Sequence, residues 1–436
     1  MKRQWFKLPL HQLLHALHTG EAGLPEIAAS FYERIATRDE KIGAWQYLID
    51  QEDYLAEYES RREFYRASPL MGLPFAVKDV IDTAGIPTTM GSVIHQDRIP
   101  DMDASCVAAM KAAGGILMGK TVTTEFAYFQ AGKTNNPHDP ERTPGGSSSG
   151  SAAAVADYMV PVAFGTQTAA SVIRPASYCG CIGYVGSKNE FSLRNIQPLA
   201  QSLDSLGIIS NDVLDTILVR DILLHKSLNL ALPGKHGPCV FGVFSGEILG
   251  AVQDKMLETL YGCQKELLEQ GHQCIDFPLP EAIAELTALH GQVMAYEVAR
   301  NLVHEQQRHE ALSAHMQGLI RSGLALPHQD YIAALQRADA IKHTLLQWFD
   351  GNDVDFILAP AASGVAPYKS EGTGAPFMSR AWQLVGLPVV SLPLGYCQKM
   401  PMGLQLIGRP HQDDTLLLQA RQLQQRFLHA GVVLAV

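Results

Sequence analysis

Residues 143–156 read TPGGSSSGSAAAVA, a run with two adjacent glycines, four serines and almost no side-chain bulk. Composition of this kind commonly marks a solvated linker, since Gly and Ser leave the backbone free and bury little surface. Here the run stands between two apolar segments, and its second half is alanine-rich, which favours a helix. A linker has no place between buried segments. The run is therefore read as a tight functional loop that opens a helix, lying where backbones pack closely.

The surrounding pattern gives that loop a setting. From about Gly72 to Val213, short β-like runs alternate with helix-like runs and Gly-rich turns. GLPFAVKDV holds a strand, CVAAMKAAGG a small-residue helix, and GILMGK and MVPVAFG two further strands. This alternation predicts an α/β fold with a largely buried sheet. Upstream, Leu10, Leu13, Leu14 and Leu17 fall at helical spacing before Gly20, and Leu24, Ile27, Phe31 and Ile35 mark a second amphipathic helix. Residues 281–350 carry Leu, Met, Val and Ala at helical spacing with few Gly or Pro, which suits a helical cap over a cleft. FILAPAA and LPVVSLPLG then return to strand character. The expectation is one domain over 1–436, with a core at 72–212 and a cap or insertion at 281–350.

With 47% hydrophobic and 18% charged residues, the chain can bury a large core and lacks the bias of a disordered one. Its net charge of −10 argues against a nucleic-acid or anionic-membrane surface. Seven scattered cysteines fit a reducing compartment. His and Gln interrupt the apolar stretch at the N-terminus, making it a poor signal peptide, and no apolar run is long enough to span a membrane. The expectation is a cytoplasmic protein without membrane or nucleic-acid partners, with a homodimer left open. No metal or cofactor is expected. His11, His15 and His18 lie at helical spacing but read as the polar flank of a leucine stripe, and HEQQRH at 304–309 lacks the spacing of a zinc motif.

Three segments carry residues suited to chemistry. Lys78 ends the apolar run of GLPFAVKDVID. Ser147, Ser148 and Ser149 follow two glycines in GGSSSGS. Ser171 sits on a small-residue turn in GTQTAASVIRP, after the run MVPVAF. Taken singly, these are a strand-end lysine, a flexible loop and a turn. A phosphate-binding loop is disfavoured because no G-x-x-x-x-G-K-[ST] occurs.

Together the three resemble the amidase signature family. Ser171 follows Ser147 by 24 residues and Lys78 by 93, and GKTVTTEFA, SLDSLG, GLPVVSLPLG and GLQLIGRP extend the likeness along nearly the whole chain. The resemblance implies a large mixed central sheet flanked by helices on both faces, and an amidohydrolase that cleaves an amide C–N bond through a Ser–Ser–Lys relay. Ser171 would attack the carbonyl, with Ser147 bridging it to Lys78. Lysine ordinarily titrates near 10.4, so Lys78 would need a much lower pKa, which burial beside Pro74, Phe75, Ala76 and Val77 supplies by desolvation. The resemblance also implies a cis peptide at Gly146–Ser147 and an oxyanion hole of N–H groups from Thr168, Ala169, Ala170 and Ser171.

The departures from the family pattern are specific. Its T-G-G-S is Thr168-Ala169-Ala170-Ser171 here, and alanine at positive φ costs about 1–2 kcal/mol, so a strained loop is one expectation. Gly183-Tyr184-Val185-Gly186-Ser187 replaces the family's G-(F/L)-K-P-(S/T), and the arginine common after SLDxxG is missing. The order Ser171-Val172-Ile173-Arg174 is similar to malonamidase-like members. Arg174 is thus a candidate for a substrate carboxylate or, equally, a structural arginine. Ser148 and Gln167, beside the two serines, complete the substrate-binding candidates. Met294, Tyr296 and Glu297 suit either a pocket wall or core packing. Asp204 reads as ordering a turn near the site. The resulting expectation is hydrolysis of a small carboxylate-bearing amide. The alternatives are the amidase subunit of a tRNA-dependent amidotransferase, and a catalytically impaired binding or scaffold protein.

Overall fold

The computed structural model describes residues 3–227, 237–429 and 434–435. Among these, twelve strands form one sheet. In chain order they are β1 (Trp45–Leu48), β2 (Pro74–Lys78), β3 (Ile116–Thr121), β4 (Val162–Gln167), β5 (Ile182–Val185) and β6 (Ser205–Ser210). They continue with β7 (Val240–Val243), β8 (Gln273–Asp276), β9 (Phe356–Pro360), β10 (Val389–Cys397), β11 (Met400–Ile407) and β12 (Leu434–Ala435). Across the sheet the order is β1-β3-β2-β4-β6-β5-β10-β11-β9-β7-β8, with β12 pairing to β10. Parallel pairs such as β2–β4 and antiparallel pairs such as β4–β6 make it a mixed sheet. Every residue of β2, β3, β4, β5 and β9 is buried, so helices cover both faces there. The fold is α/β, as the alternation of apolar runs predicts.

The two N-terminal helices run Leu10–Thr19 and Leu24–Ile42. The first ends at Gly20, whose φ of 73° is the left-handed stop that glycine permits. Leu24, Ile27, Phe31 and Ile35 are all buried, as their spacing predicts. His11 Nδ1 meets Asp215 Oδ1 at 2.8 Å, a hydrogen bond that ties the first helix to the helix Val213–Leu223. Residues 281–350 hold most of three helices, Pro280–Asn301, Ala314–Ala325 and His328–Gly351. Tyr296 and Tyr331 stack at 4.2 Å to join the first of these to the third.

The GGSSSGS run behaves as a packed loop and not as a linker. Its helix, Ser149–Ala156, is buried over Ser149–Val155. A Cβ on Gly150 would collide with the backbone of Ala44 and Val122. Only glycine allows that approach, in which Gly150 N–H donates to Val122 C=O at 3.0 Å. Ser151 donates to Phe164 C=O at 2.9 Å and meets Thr121 Oγ1 at 2.7 Å, so this helix is bonded to β3 and β4.

Candidate active site

Strands β2 and β4 run parallel, pairing Ala76 with Ala163 and Val77 with Phe164. Their C-terminal ends therefore finish side by side, and Lys78 closes one while Thr166 and Gln167 close the other. Lys78 is fully buried. Its Nζ donates to Ser147 Oγ at 2.6 Å and to Thr166 Oγ1 at 2.9 Å. Burial lowers its pKa from 10.5 to about 7, against the pull of the Asp204 carboxylate. Near neutrality this amine can therefore hold or release a proton.

Ser147 follows a cis peptide, Gly146–Ser147, as the resemblance implies. Gly145 ahead of it has φ 82°, and a Cβ there would stand 3.0 Å from Pro175 Cα. The loop carrying Ser147 thus packs against the helix Ile173–Cys179, which begins just after Ser171. A backbone bond from Ser148 N to Ser171 C=O, 3.2 Å, joins the two serine segments. Both Ser147 and Ser171 line one cavity. The Ser171 hydroxyl takes no hydrogen bond among the described residues, so it is free to turn toward Ser147 or toward a bound carbonyl.

Thr168, Ala169, Ala170 and Ser171 also line that cavity. The N–H groups of Ala169, Ala170 and Ser171 meet no backbone carbonyl among the described residues, as an oxyanion-binding loop requires. Neither alanine lies at positive φ, so the strain expected for an alanine pair in place of two glycines does not arise. The loop is pinned from two directions. Thr168 Oγ1 donates to Asp204 Oδ1 at 2.5 Å, while Asp204 Oδ2 accepts from the N–H groups of Leu199 and Ala200. Burial pushes Asp204 up to about 6 despite these bonds. From the other side, His290 Nε2 meets Thr168 C=O at 2.7 Å. Burial lowers the His290 pKa to about 3, so the ring is neutral with its proton on Nε2, facing the carbonyl.

The remaining expected residues divide by position. Gln167 accepts from the N–H groups of Val172 and Ile173 at 3.0 and 3.1 Å and donates to Gln383. Ser148 Oγ turns to Thr166 C=O. Neither residue is among those lining the cavity, and both brace the turns that present the serines. Arg174 does line it, yet its guanidinium is largely engaged. It donates to Gly374 C=O at 2.5 Å and to Gly146 C=O at 2.6 Å, with Thr373 Oγ1 at 3.5 Å. Met294 lines the cavity, whereas Glu297 takes the N–H and hydroxyl of Ser202, and Tyr296 stacks on Tyr331. Two further residues have no motif to mark them. His290 sits at core spacing on its helix, and Arg380, on the helix Phe377–Val385, also lines the cavity. Among the described residues no group of three His, Cys, Asp or Glu side chains forms a metal site. No described helix is long and apolar enough to cross a membrane.

Comparison with known proteins bears directly on this geometry. The chain is 29% identical to a glutamyl-tRNA(Gln) amidotransferase subunit from Natranaerobius thermophilus, over 96% of this chain and 95% of the relative. It is 30% identical to the same-named protein from Geobacter metallireducens, over 96% and 97%. A crystal structure described as an amidase superposes with a TM-score of 0.87 at 27% identity, covering 96% of this chain and all of the other. The two named relatives correct one expectation, the exclusion of nucleic acid, since their name ties them to a tRNA. Net charge summed over a chain does not settle such a partnership, because exposed charges act over a Debye length of about 10 Å and not over the whole surface. The amidase family model matches residues 26–417, and on that match, with the relatives and the fold, the chain belongs to the amidase family of amide-cleaving hydrolases.

Proposed function

We propose that this protein hydrolyses a small, carboxylate-bearing amide through an acyl-enzyme on Ser171. The observation that carries this reading is the buried 2.6 Å contact of Lys78 Nζ with Ser147 Oγ, set in the cavity that Ser171 shares. Ser171 Oγ bonds to the substrate carbonyl carbon. Its proton passes to Ser147, whose own proton passes to neutral Lys78. The oxyanion is held by the free N–H groups of the Thr168–Ser171 loop. The C–N bond then breaks, and Lys78 returns its proton through Ser147 to the leaving amine. Water attacks the acyl group, loses its proton along the same relay, and restores Ser171 as the acid departs. The helices of 281–350 serve as the cap of this single domain, a reading supported by Met294 in the cavity wall. Arg174, a buried cation in the same wall, supports an anionic substrate.

The test is turnover of a panel of dicarboxylic monoamides and ureido acids, with Ser171→Ala as control. Hydrolysis that vanishes in the variant supports the proposal, and a panel left untouched by the parent protein contradicts it. A second reading is favoured by the shared name of the relatives, that the chain works within a tRNA-dependent amidotransferase. Purification of the native complex decides it, since stable association with tRNA and partner proteins is then expected.

A further inference from the structure

The cavity beside Ser171 contains two arginines and no carboxylate among its lining residues. Their states differ. Arg174 spends its terminal nitrogens on the carbonyls of Gly374 and Gly146, which fixes the Ser147 loop. Arg380 has no hydrogen bond and no ion pair among the described residues, and its Nε, like that of Arg174, is buried without a partner. Burial lowers the pKa of both guanidiniums, and for Arg174 the nearby Arg380 lowers it further. A desolvated cation without an anion costs free energy, so such a site favours a ligand that supplies the missing charge.

The helix that carries Arg380 is held firmly. On its helix, Met378, Ala381, Trp382 and Val385 are buried. Gln383, one turn on, donates to Gln167 C=O at 3.2 Å and to Ser205 Oγ at 2.9 Å. Arg380 thus projects from a fixed helix, in a chain whose overall charge is −10.

We infer that Arg380 is the specificity-determining residue that grips the carboxylate of the substrate's acyl part, with Arg174 behind it lending charge without offering a fork. A planar guanidinium with unengaged N–H groups matches a planar carboxylate in two parallel bonds. This assignment rests on the amidase reading for its role, but the binding it describes is measured without turnover.

The experiment is calorimetric titration of malonate, succinate and glutarate into the full-length protein and its Arg380→Gln, Arg380→Lys and Arg321→Gln variants. Arg321 is an exposed arginine outside the cavity lining and controls for general charge. At least one dicarboxylate is expected to bind the parent and Arg321→Gln alike. Arg380→Gln is expected to weaken it by about 30-fold or more. Arg380→Lys, which keeps the charge and loses the fork, is expected to fall between. Melting curves show which variants are folded, and should Arg380→Gln not fold, the lysine variant carries the comparison. The inference is overturned if no dicarboxylate binds the parent, or if the folded Arg380 variants bind as tightly as the parent. Failure of the amidase reading shows separately, as absence of hydrolysis in a protein that still binds the anion.

Discussion

Lys78 Nζ and Ser147 Oγ stand 2.6 Å apart, with both side chains buried. With the Lys78 pKa brought down to about 7 by desolvation, the amine is neutral over the alkaline side of neutrality. In kcat/KM against pH, the rate is expected to climb through an apparent pKa near 7 and then level off. A profile flat from pH 6 to pH 8.5 would contradict the role of Lys78. Replacing Lys78 by alanine is expected to lower kcat by about 100-fold or more, the range for loss of a general base.

The same burial has a consequence for stability. The unfolded chain keeps the Lys78 proton up to its ordinary pKa of 10.5, whereas the folded chain releases it near 7. Between those values the unfolded state binds more protons, so stability rises with pH across this window. Lys78→Met removes the cost. At pH 7 it is expected to melt higher than the parent by roughly 2–4 °C, with the gap closing toward pH 10 in thermal melts.

The Thr168 carbonyl and hydroxyl are held by His290 and Asp204 respectively. In the proposed mechanism His290 is a positioning residue, acting through Thr168 on the Thr168–Ser171 loop. His290→Phe is expected to reduce kcat by about 10–100-fold, the scale for an ångström-sized misplacement, with KM changed less than about twofold. His290→Gln, whose amide N–H can reach the same carbonyl, is expected to recover much of kcat. Equal losses in both variants would assign the histidine to packing alone.

Gly145 holds φ 82°, and an added Cβ would stand 3.0 Å from both Pro175 Cα and Tyr178 Cδ2. Gly145→Ala is expected to cost about 1–3 kcal/mol, combining the positive-φ penalty with crowding against backbone. Urea denaturation reads this as a lower midpoint at unchanged slope.

Much of this is legible in the residues themselves. The buried strand before Lys78 and the helix face of Leu24, Ile27, Phe31 and Ile35 follow from apolar spacing alone. The serine loop declares itself through its mismatch with its neighbours, and Gly150 explains why no larger residue stands there. Other features depend on distant chain segments meeting. Arg380 lies 209 residues after Ser171, and only the packing of its helix brings it to the cavity. His290 looks like any core residue of its helix until the Thr168 carbonyl arrives opposite it. Gln167 is a natural substrate-binding candidate by position, but bracing its own turn needs both ends of its amide. The alanine pair at 169–170 raises an expectation of strain because glycine in a motif suggests positive φ, while the backbone keeps both alanines at negative φ.

The central claim is that Ser171 is a nucleophile activated through Ser147 by a neutral lysine. Intact-protein and peptide mass spectrometry after exposure to a fluorophosphonate, followed against pH, tests it most directly. A single adduct on Ser171 is predicted, forming faster as pH rises through about 7, slowed sharply in Lys78→Ala and abolished in Ser171→Ala. An adduct on another residue, or labelling of Ser171 at the same rate with and without Lys78, would contradict it.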